Sequence, residues 1–204
     1  MKKSLVFLLC VLALLLSACS ASLAKDPEML QVDHRPFTRS QYAAAYQYCR
    51  CVMRQDMLTQ GLSEEAVLND ASTEPKYLEM LQSSAQVQLA MQTVVEKEWK
   101  ACKLKAAQSD KELLAQAKAS MGGEEVYQKF LSEYGLTESI YLDVLTLQEK
   151  TQALASYYEE NGLVDADDEE AFAVLLQSWI DAAQITLTGD PGEITPQTVT
   201  DYLK

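Results

Sequence analysis

The sequence predicts a mainly α protein with long helices and an extended architecture, and three observations carry that prediction. Only 7 Gly and 5 Pro occur among 204 residues, which is too few for an all-β fold with many tight turns. Residues 76–108 contain neither, and a helix of that length would span about 50 Å, more than a compact small domain. Capping boxes at Thr38–Gln41 and Ser109–Glu112 are each typical of a helix start.

The N-terminal residues have the composition of an export signal. Residues 1–18 combine two lysines with an unbroken apolar run, Leu5–Leu16, which is too short to span a bilayer comfortably. The run ends in Leu16-Ser17-Ala18-Cys19, which resembles the lipobox of bacterial lipoproteins. That resemblance implies lipidation at Cys19 and removal of residues 1–18 as a lipoprotein signal peptide. An ordinary secretory signal cleaved a few residues later and an uncleaved anchor are the alternatives.

Lipidation would place the protein in the bacterial cell envelope, lipid-anchored to a membrane on its extracytoplasmic side. Removing Lys2 and Lys3 leaves 15 basic against 30 acidic residues, a side-chain charge of −15 on the mature chain. Because an acidic body is not attracted to anionic lipid, the acyl chains would hold the protein at the membrane. Residues 19–27, small and polar, are interpreted as a tether between the lipid and the fold.

The body of the protein opens with a predicted strand, a turn and a helix. Residues 29–32 form a short apolar stretch that favours a strand, and residues 33–36 (DHRP) indicate a turn. A helix begins at the Thr38 cap and runs to about Thr59, where Gly61 favours its end. Its inward face is predicted to be the stripe Tyr42, Tyr46, Cys49, Met53 and Met57.

The middle of the chain predicts the longest helix. Residues 63–68 favour a short helix and residues 69–75 a loop, whose Pro75 suits the first turn of the next helix. From Leu78 to Cys102, apolar residues then recur at helical spacing. The whole stretch 76–108 is therefore predicted as one helix.

Glycines and capping residues divide the second half into shorter elements. Ser109 begins a new helix, Gly122-Gly123 ends it, Gly135 ends the next one, and Thr137 caps a third. Residues 159–170 (EENGLVDADDEE) are predicted to form a strongly acidic loop. The resulting elements are helices at 109–121, 124–134, 138–158 and 171–182, a strand at 184–188, and a flexible C-terminal tail at 189–204.

Three segments occur in an order and spacing that characterise one family. They are residues 32–42 (VDHRPFTRSQY), residues 95–112 and residues 130–138 (FLSEYGLTE). Together they resemble the opening strand and helix, the long helix with its Ser-Asp-capped successor, and the Gly-Leu-Thr-Glu junction of SurA-type chaperones and PrsA-type foldases. The resemblance is to a SurA N-terminal-like module of the trigger factor/SurA peptide-binding kind, and it covers about residues 28–188.

The resemblance implies both a topology and a missing part. It implies that strand 29–32 pairs with the returning strand 184–188, a small two-strand pairing of the N- and C-terminal segments. In the family a parvulin domain stands before that return, whereas here only residues 159–170 occupy its place. Asp33-His34 also replaces the family's Asn-Gly turn. The resemblance therefore implies a helical chaperone domain at 28–188 that lacks the catalytic parvulin domain.

Three cysteines, Cys49, Cys51 and Cys102, remain after processing, an odd number in a compartment that permits disulfides. Cys49 and Cys51 are not a CxxC motif, and their spacing on a helix points the thiols about 200° apart. One prediction is that all three are small buried apolar residues. The other is a disulfide from Cys102 to Cys49 or Cys51.

The residue types argue against enzymatic chemistry. His34 is the only His, so a Ser-His or Cys-His dyad would have to use a residue that the pattern places in a turn. No P-loop, Gly-rich dinucleotide motif or HExxH sequence occurs. The acidic run Asp165–Glu170 lacks EF-hand spacing and is interpreted as a solvated loop. We therefore expect no enzyme activity, no cofactor and no metal site.

The composition and the family resemblance together predict a binding protein. A net charge of −13 argues against a nucleic acid partner, because phosphate backbones require clustered Lys and Arg. The expected function is a lipid-anchored extracytoplasmic chaperone-like protein that binds unfolded or partly folded secreted polypeptides. An envelope adaptor for one specific protein is the alternative, and a residual peptidyl-prolyl isomerase is a third. Five methionines are candidates for the client surface or for ordinary core: Met53, Met57, Met80, Met91 and Met121.

Overall fold

The computed structural model describes residues 26–61, 75–168 and 170–203, and in that part of the chain the protein is mainly α. The predicted fold class is therefore confirmed, with one small antiparallel sheet beside the helices. The strands are β1 (Glu28–Val32), β2 (Arg35–Thr38) and β3 (Ile185–Leu187). The α-helices are α1 (Arg39–Thr59), α2 (Pro75–Ala101), α3 (Asp110–Ser120), α4 (Glu124–Tyr134), α5 (Glu138–Glu160), α6 (Ala171–Ala182) and α7 (Val199–Tyr202).

Several sequence predictions lie outside the described residues. They concern the signal peptide at 1–18, the lipidation site Cys19, and the short helix and loop predicted between 63 and 74. Of the predicted tether, only Asp26 and Pro27 are described, and both bind the start of α1: Ser40 Oγ donates to the Asp26 carboxylate and Arg39 N–H donates to the Pro27 carbonyl. Among the described helices, none is long and apolar enough to cross a membrane.

The helix starts follow the local signals in the sequence. Thr38 and Ser109 each accept a hydrogen bond from the third amide of their helix, and Gln41 and Glu112 reach back to the cap amide. Both capping boxes are therefore confirmed. Thr137 caps α5 through the Ile140 amide, as predicted.

Among the described helices, four end in the same way, and three of these ends contain a glycine. At the end of α3, Gly122 has positive φ and Gly123 N–H donates to the Lys118 carbonyl. Gly135 follows α4 and Gly162 follows α5, each with positive φ and with the next amide donating back to the last turn, the Schellman arrangement. Lys103 occupies the equivalent position after α2 with φ of 55°, and Leu104 N–H donates to the Trp99 carbonyl. The prediction of one helix through residue 108 is therefore wrong. The turn that ends α2 usually contains a glycine, and here Lys103 takes that position, so the sequence does not indicate the helix end.

The sheet has the order β2-β1-β3, so the N-terminal strand lies in the middle. The predicted pairing of 29–32 with 184–188 is confirmed, with Leu30 opposite Leu187 and Val32 opposite Ile185. β2 is an addition, because the predicted turn at 33–36 is confined to Asp33 and His34. Their φ values of 48° and 68° fit a two-residue type I′ hairpin turn, which lets the chain pair again at once.

The hydrophobic core is divided into three main clusters along the chain rather than gathered in one place. The sheet cluster packs β1 and β2 against α1 and the first half of α2; it includes Met29, Leu30, Val32, Phe37, Tyr42, Tyr46, Leu81 and Leu89. The α4 cluster comprises Cys51, Tyr127, Leu131, Leu136 and Ile140. The α6 cluster comprises Val95, Trp99, Leu147, Leu154 and Phe172. Since α2 contributes to both the sheet cluster and the α6 cluster, its 27 residues, about 40 Å, connect them.

The C-terminal segment is folded, which contradicts the predicted flexible tail at 189–204 throughout its described part. Ile194 and Val199 are fully buried in the sheet cluster. Arg39 at the start of α1 forms an ion pair with Glu193 at 2.8 Å. Tyr202 and Leu203 pack on the same cluster, so four apolar side chains hold this short segment against the body.

Candidate functional site

A groove of about 500 Å³ lies between α1 and α2 and is the largest concave surface that we describe. We name it the α1–α2 groove. Leu81, almost completely buried, lies at its base, while Cys49 and Met53 are partly buried in its α1 wall. The lining residues are Tyr48, Cys49, Val52, Met53, Asp56, Met80, Leu81, Ser83, Ser84, Val87 and Gln88.

The walls of the groove expose large apolar side chains. Val52 from α1 is 38% exposed, and Met80 and Val87 from α2 are 46% and 44% exposed. Exposed apolar residues are ordinary when they are single, but three around one concavity form a surface that releases water when covered. Ser83 and Ser84 supply hydroxyl groups beside this apolar surface.

A second, smaller cavity adjoins the groove. Its volume is about 190 Å³, and Tyr48 and Gln88 line both spaces, so these two side chains form the boundary between them. The cavity lies where α5 meets α1 and α2, and Tyr202 and Leu203 from the C-terminal segment line it as well. The two spaces are separate cavities that share a wall formed by Tyr48 and Gln88.

Two thiols of α1, Cys49 in the groove wall and Cys51 in the α4 cluster, are shifted towards their uncharged forms. Burial raises the pKa of the Cys49 thiol to about 12 and that of the Cys51 thiol to about 11. Burial, and to a smaller extent the neighbouring thiols, also raises the pKa of the Tyr48 hydroxyl. At neutral pH both thiols remain protonated, so neither supplies a thiolate for nucleophilic or metal chemistry.

The three predicted cysteines are free thiols in the structure. Each belongs to a different part of the core, because Cys49 packs on the sheet cluster, Cys51 lies in the α4 cluster and Cys102 packs on the α6 cluster. The disulfide from Cys102 to Cys49 or Cys51 is therefore not formed in the structure. The alternative prediction, three small buried apolar residues, fits Cys51, whereas Cys49 and Cys102 are only partly buried beside apolar neighbours.

The other residues singled out by the sequence are dispersed. His34 is exposed in the β1–β2 turn. Among residues 26–61, 75–168 and 170–203, no group of three His, Cys, Asp or Glu side chains is placed to hold a metal ion. Of the five candidate methionines, Met53 and Met80 line the groove, Met57 is buried beside Tyr77, Met91 packs on the α6 cluster and Met121 packs on the α4 cluster.

Some groove residues could not be recognised from the sequence. Val87 is one of the apolar residues that recur at helical spacing in α2, yet it is exposed in the groove wall. Val52 and Tyr48 fall outside the predicted stripe of α1 altogether. Both observations have one cause: helical periodicity says which residues share a face, whereas the partner of that face depends on how two helices meet.

Comparison with protein-family models, curated proteins and solved structures found no match to this chain. The resemblance to SurA-type chaperones and PrsA-type foldases accordingly remains a prediction that rests on residues 32–42, 95–112 and 130–138. A proposal for function has to rest on the groove, its exposed apolar walls and the charge of the chain.

Proposed function

We propose that the protein is a chaperone-like binding protein, lipid-anchored through Cys19 on the extracytoplasmic side of the bacterial cell envelope, that holds unfolded or partly folded secreted polypeptides without catalysis. The observation that carries the proposal is the α1–α2 groove, whose walls expose Val52, Met80 and Val87. An unfolded chain exposes apolar side chains that its own core would otherwise bury, and this groove offers them a concave apolar surface.

The chemistry of the groove suits binding that is broad and reversible. Burying one client side chain is worth about 1.5–3 kcal/mol, and ordering the client consumes part of that gain. The thioethers of Met53 and Met80 adapt their shape to different neighbours, which favours a range of sequences over one. Binding of two or three client side chains would therefore be weak enough to permit release.

The membrane and the charge set where such binding would occur. Acyl chains on Cys19 would hold the body at the surface where secreted chains emerge, which raises their effective concentration. The side-chain charge of −15 on the chain without residues 1–18 keeps the body soluble and away from anionic lipid. The proposal requires neither a cofactor nor a nucleic acid partner.

The test is suppression of aggregation of reduced, unrelated model proteins, followed by light scattering. The groove variant is Met80→Ser/Val87→Ser, and the matched control is Val126→Ser/Leu163→Ser, which removes two apolar side chains of comparable exposure away from the groove. We expect the unchanged protein and the control to suppress aggregation at a several-fold molar excess, and the groove variant to lose most of that effect.

Two results would count against the proposal. If the protein leaves every unrelated client to aggregate, it is not a general chaperone, and an adaptor that binds one specific envelope protein becomes the better description. If the groove variant and the control act equally, client binding occurs elsewhere. A proline-isomerisation assay above background would contradict the absence of catalysis.

A further inference from the structure

The two edges of the sheet differ in their capacity to accept another strand. Gln31 lies opposite Pro36, and Leu30 and Val32, on either side, form the hydrogen-bonded pairs with β2. The Pro36 nitrogen therefore faces outward, where a proline has no N–H to offer, and this edge is blocked. Such protection is common on natural edge strands, and β3 at the opposite edge has no proline.

Within residues 26–61, 75–168 and 170–203, no partner is found for the backbone groups at the outer edge of β3. Asp33 N–H donates to the Gln184 carbonyl and Thr188 N–H donates to the Met29 carbonyl, so the even-numbered residues face β1. By alternation, the N–H and C=O groups of Ile185 and Leu187 face away from the sheet. All three residues of β3 are exposed. The edge is therefore open to the hydrogen bonds of an added strand.

The side chains of β3 extend the core face of the sheet beyond its helical cover. Ile185 lies beside Val32 and Leu187 beside Leu30, and both β1 residues are fully buried. Ile185 and Leu187, by contrast, are 37% and 48% exposed. An added strand would place its own apolar side chains in line with this row and cover it.

The stretch of chain that contains β3 is acidic. Residues 151–203 contain 11 acidic residues and no Lys or Arg, and α6, β3 and the C-terminal segment all belong to this stretch. Asp181 precedes β3 by four residues and Asp190 follows it by three. A basic segment is therefore attracted to this edge, and an acidic one is repelled.

We propose that the outer edge of β3 binds an extended polypeptide segment, with Lys or Arg alternating with apolar residues, as a fourth strand of the sheet. The inference rests on the proposed binding of unfolded polypeptides and names one class of segment they would present. The added strand takes the backbone groups of Ile185 and Leu187 and covers their side chains. This edge is separate from the α1–α2 groove, so the two sites are tested independently.

The test is the binding of a short fluorescent peptide of alternating valine and lysine to the full-length protein, measured by anisotropy. A peptide with glutamate in place of lysine is the charge control. Leu187→Pro removes one outward N–H without removing a bond to β1, and Leu187→Ala removes side-chain area but keeps that N–H. Circular dichroism and thermal unfolding confirm that each variant folds.

The expected affinities distinguish the effect of the Leu187 backbone N–H from that of the Leu187 side chain. We expect the proline variant to bind the valine–lysine peptide about tenfold more weakly than the alanine variant. We expect the glutamate peptide to bind at least tenfold more weakly than the lysine peptide at low salt, a difference that shrinks as salt screens the charges. Hydrogen exchange of the Ile185 and Leu187 amides in the unchanged protein should slow when the peptide is added.

Three outcomes would overturn the inference. The first is that the folded proline and alanine variants bind the peptide with equal affinity. The second is that hydrogen exchange of the Ile185 and Leu187 amides does not change when the peptide binds. The third is that the protein forms a dimer without peptide and that the proline variant abolishes this dimer. The last would assign the edge to a second copy of this chain. If unrelated clients are still protected from aggregation while the peptide does not bind, only this inference fails; loss of both results refutes the proposed function as well.

Discussion

Replacing Gly135 by alanine tests how tightly α1 holds the end of α4. Gly135 adopts φ of 62° and ψ of 31°, a left-handed conformation that favours glycine. Beside it, Gln47 of α1 is buried and donates through Nε2 to the Tyr134 carbonyl at 2.6 Å. This bond satisfies a carbonyl at the helix end and ties two helices together.

The magnitude follows from two separate effects. A left-handed alanine costs about 1–2 kcal/mol, offset by about 0.4–1 kcal/mol because alanine restricts the unfolded chain. A Cβ atom at position 135 would also lie 2.8 Å from Gln47 Nε2, so the Gln47 side chain must move. Losing its buried hydrogen bond adds about 1–3 kcal/mol. We therefore expect Gly135→Ala to lower the free energy of unfolding by about 1.5–4 kcal/mol.

Gly162 supplies the matched control. It follows α5 with φ of 64°, makes the same hydrogen bonds to the preceding turn, and has open space around the position that an alanine Cβ would take, with no atom within 4 Å. Gly162→Ala should therefore show only the backbone effect, about 0.5–1 kcal/mol. Urea denaturation followed by circular dichroism measures both. Equal losses in the two variants would refute the reasoning, because the contact with Gln47 would then have no energetic consequence.

Three further predictions use other features of the fold. Lys103→Gly should raise the free energy of unfolding by about 0.5–1 kcal/mol by relieving the left-handed lysine, and a fall in urea midpoint would contradict this. Ile194→Ala should lower the free energy of unfolding by about 2–4 kcal/mol, since Ile194 is fully buried, whereas a loose tail would show no change. Because the pKa of Cys49 is raised by burial to about 12, its alkylation at pH 8 should be at least about a hundredfold slower in the folded than in the unfolded protein; mass spectrometry of the labelled thiol measures the rates, and similar rates would refute the assignment. The raised pKa of Cys49 also sets the sign of the pH dependence of stability. The thiol ionises near pH 9 in the unfolded protein but only near pH 12 in the folded one, so the folded protein loses stability as pH rises through that range.

Local signals predicted most helix boundaries correctly. Thr38 with Gln41 and Ser109 with Glu112 each satisfy helix amides within one turn, so no distant contact is needed to fix the start. Gly135 acts in the same local way at the end of α4. The end of α2 was missed because Lys103 adopts a glycine-like conformation with no matching sequence signal.

Features that depend on distant packing were not predictable in the same way. Ile194 and Val199 lie in a short polar segment with few apolar neighbours, too short for a periodic pattern to indicate burial. The groove depends on how α1 meets α2, so the helical spacing of Val87 with other apolar residues does not show that its side chain is exposed there. In the sequence Pro36 favours a turn over a strand. It lies in β2 nevertheless, because its nitrogen faces away from β1, where a strand at the edge of a sheet needs no N–H.

The central position of β1 has a consequence for the order in which the chain can fold. β1 is among the first elements made, but its partner on one side lies far along the chain: Asp33 and Gln184 are 151 residues apart. Closing a loop of that length costs about 4 kcal/mol in chain entropy, which must be recovered by the contacts that form with it. The β1–β2 hairpin and α1 can form early, whereas the sheet and its core are completed only when the last residues arrive. Until then the backbone groups of β1 that pair with β3 can bind a strand of another chain instead. The folding protein is therefore open to aggregation for a time, as are the clients that it is proposed to protect.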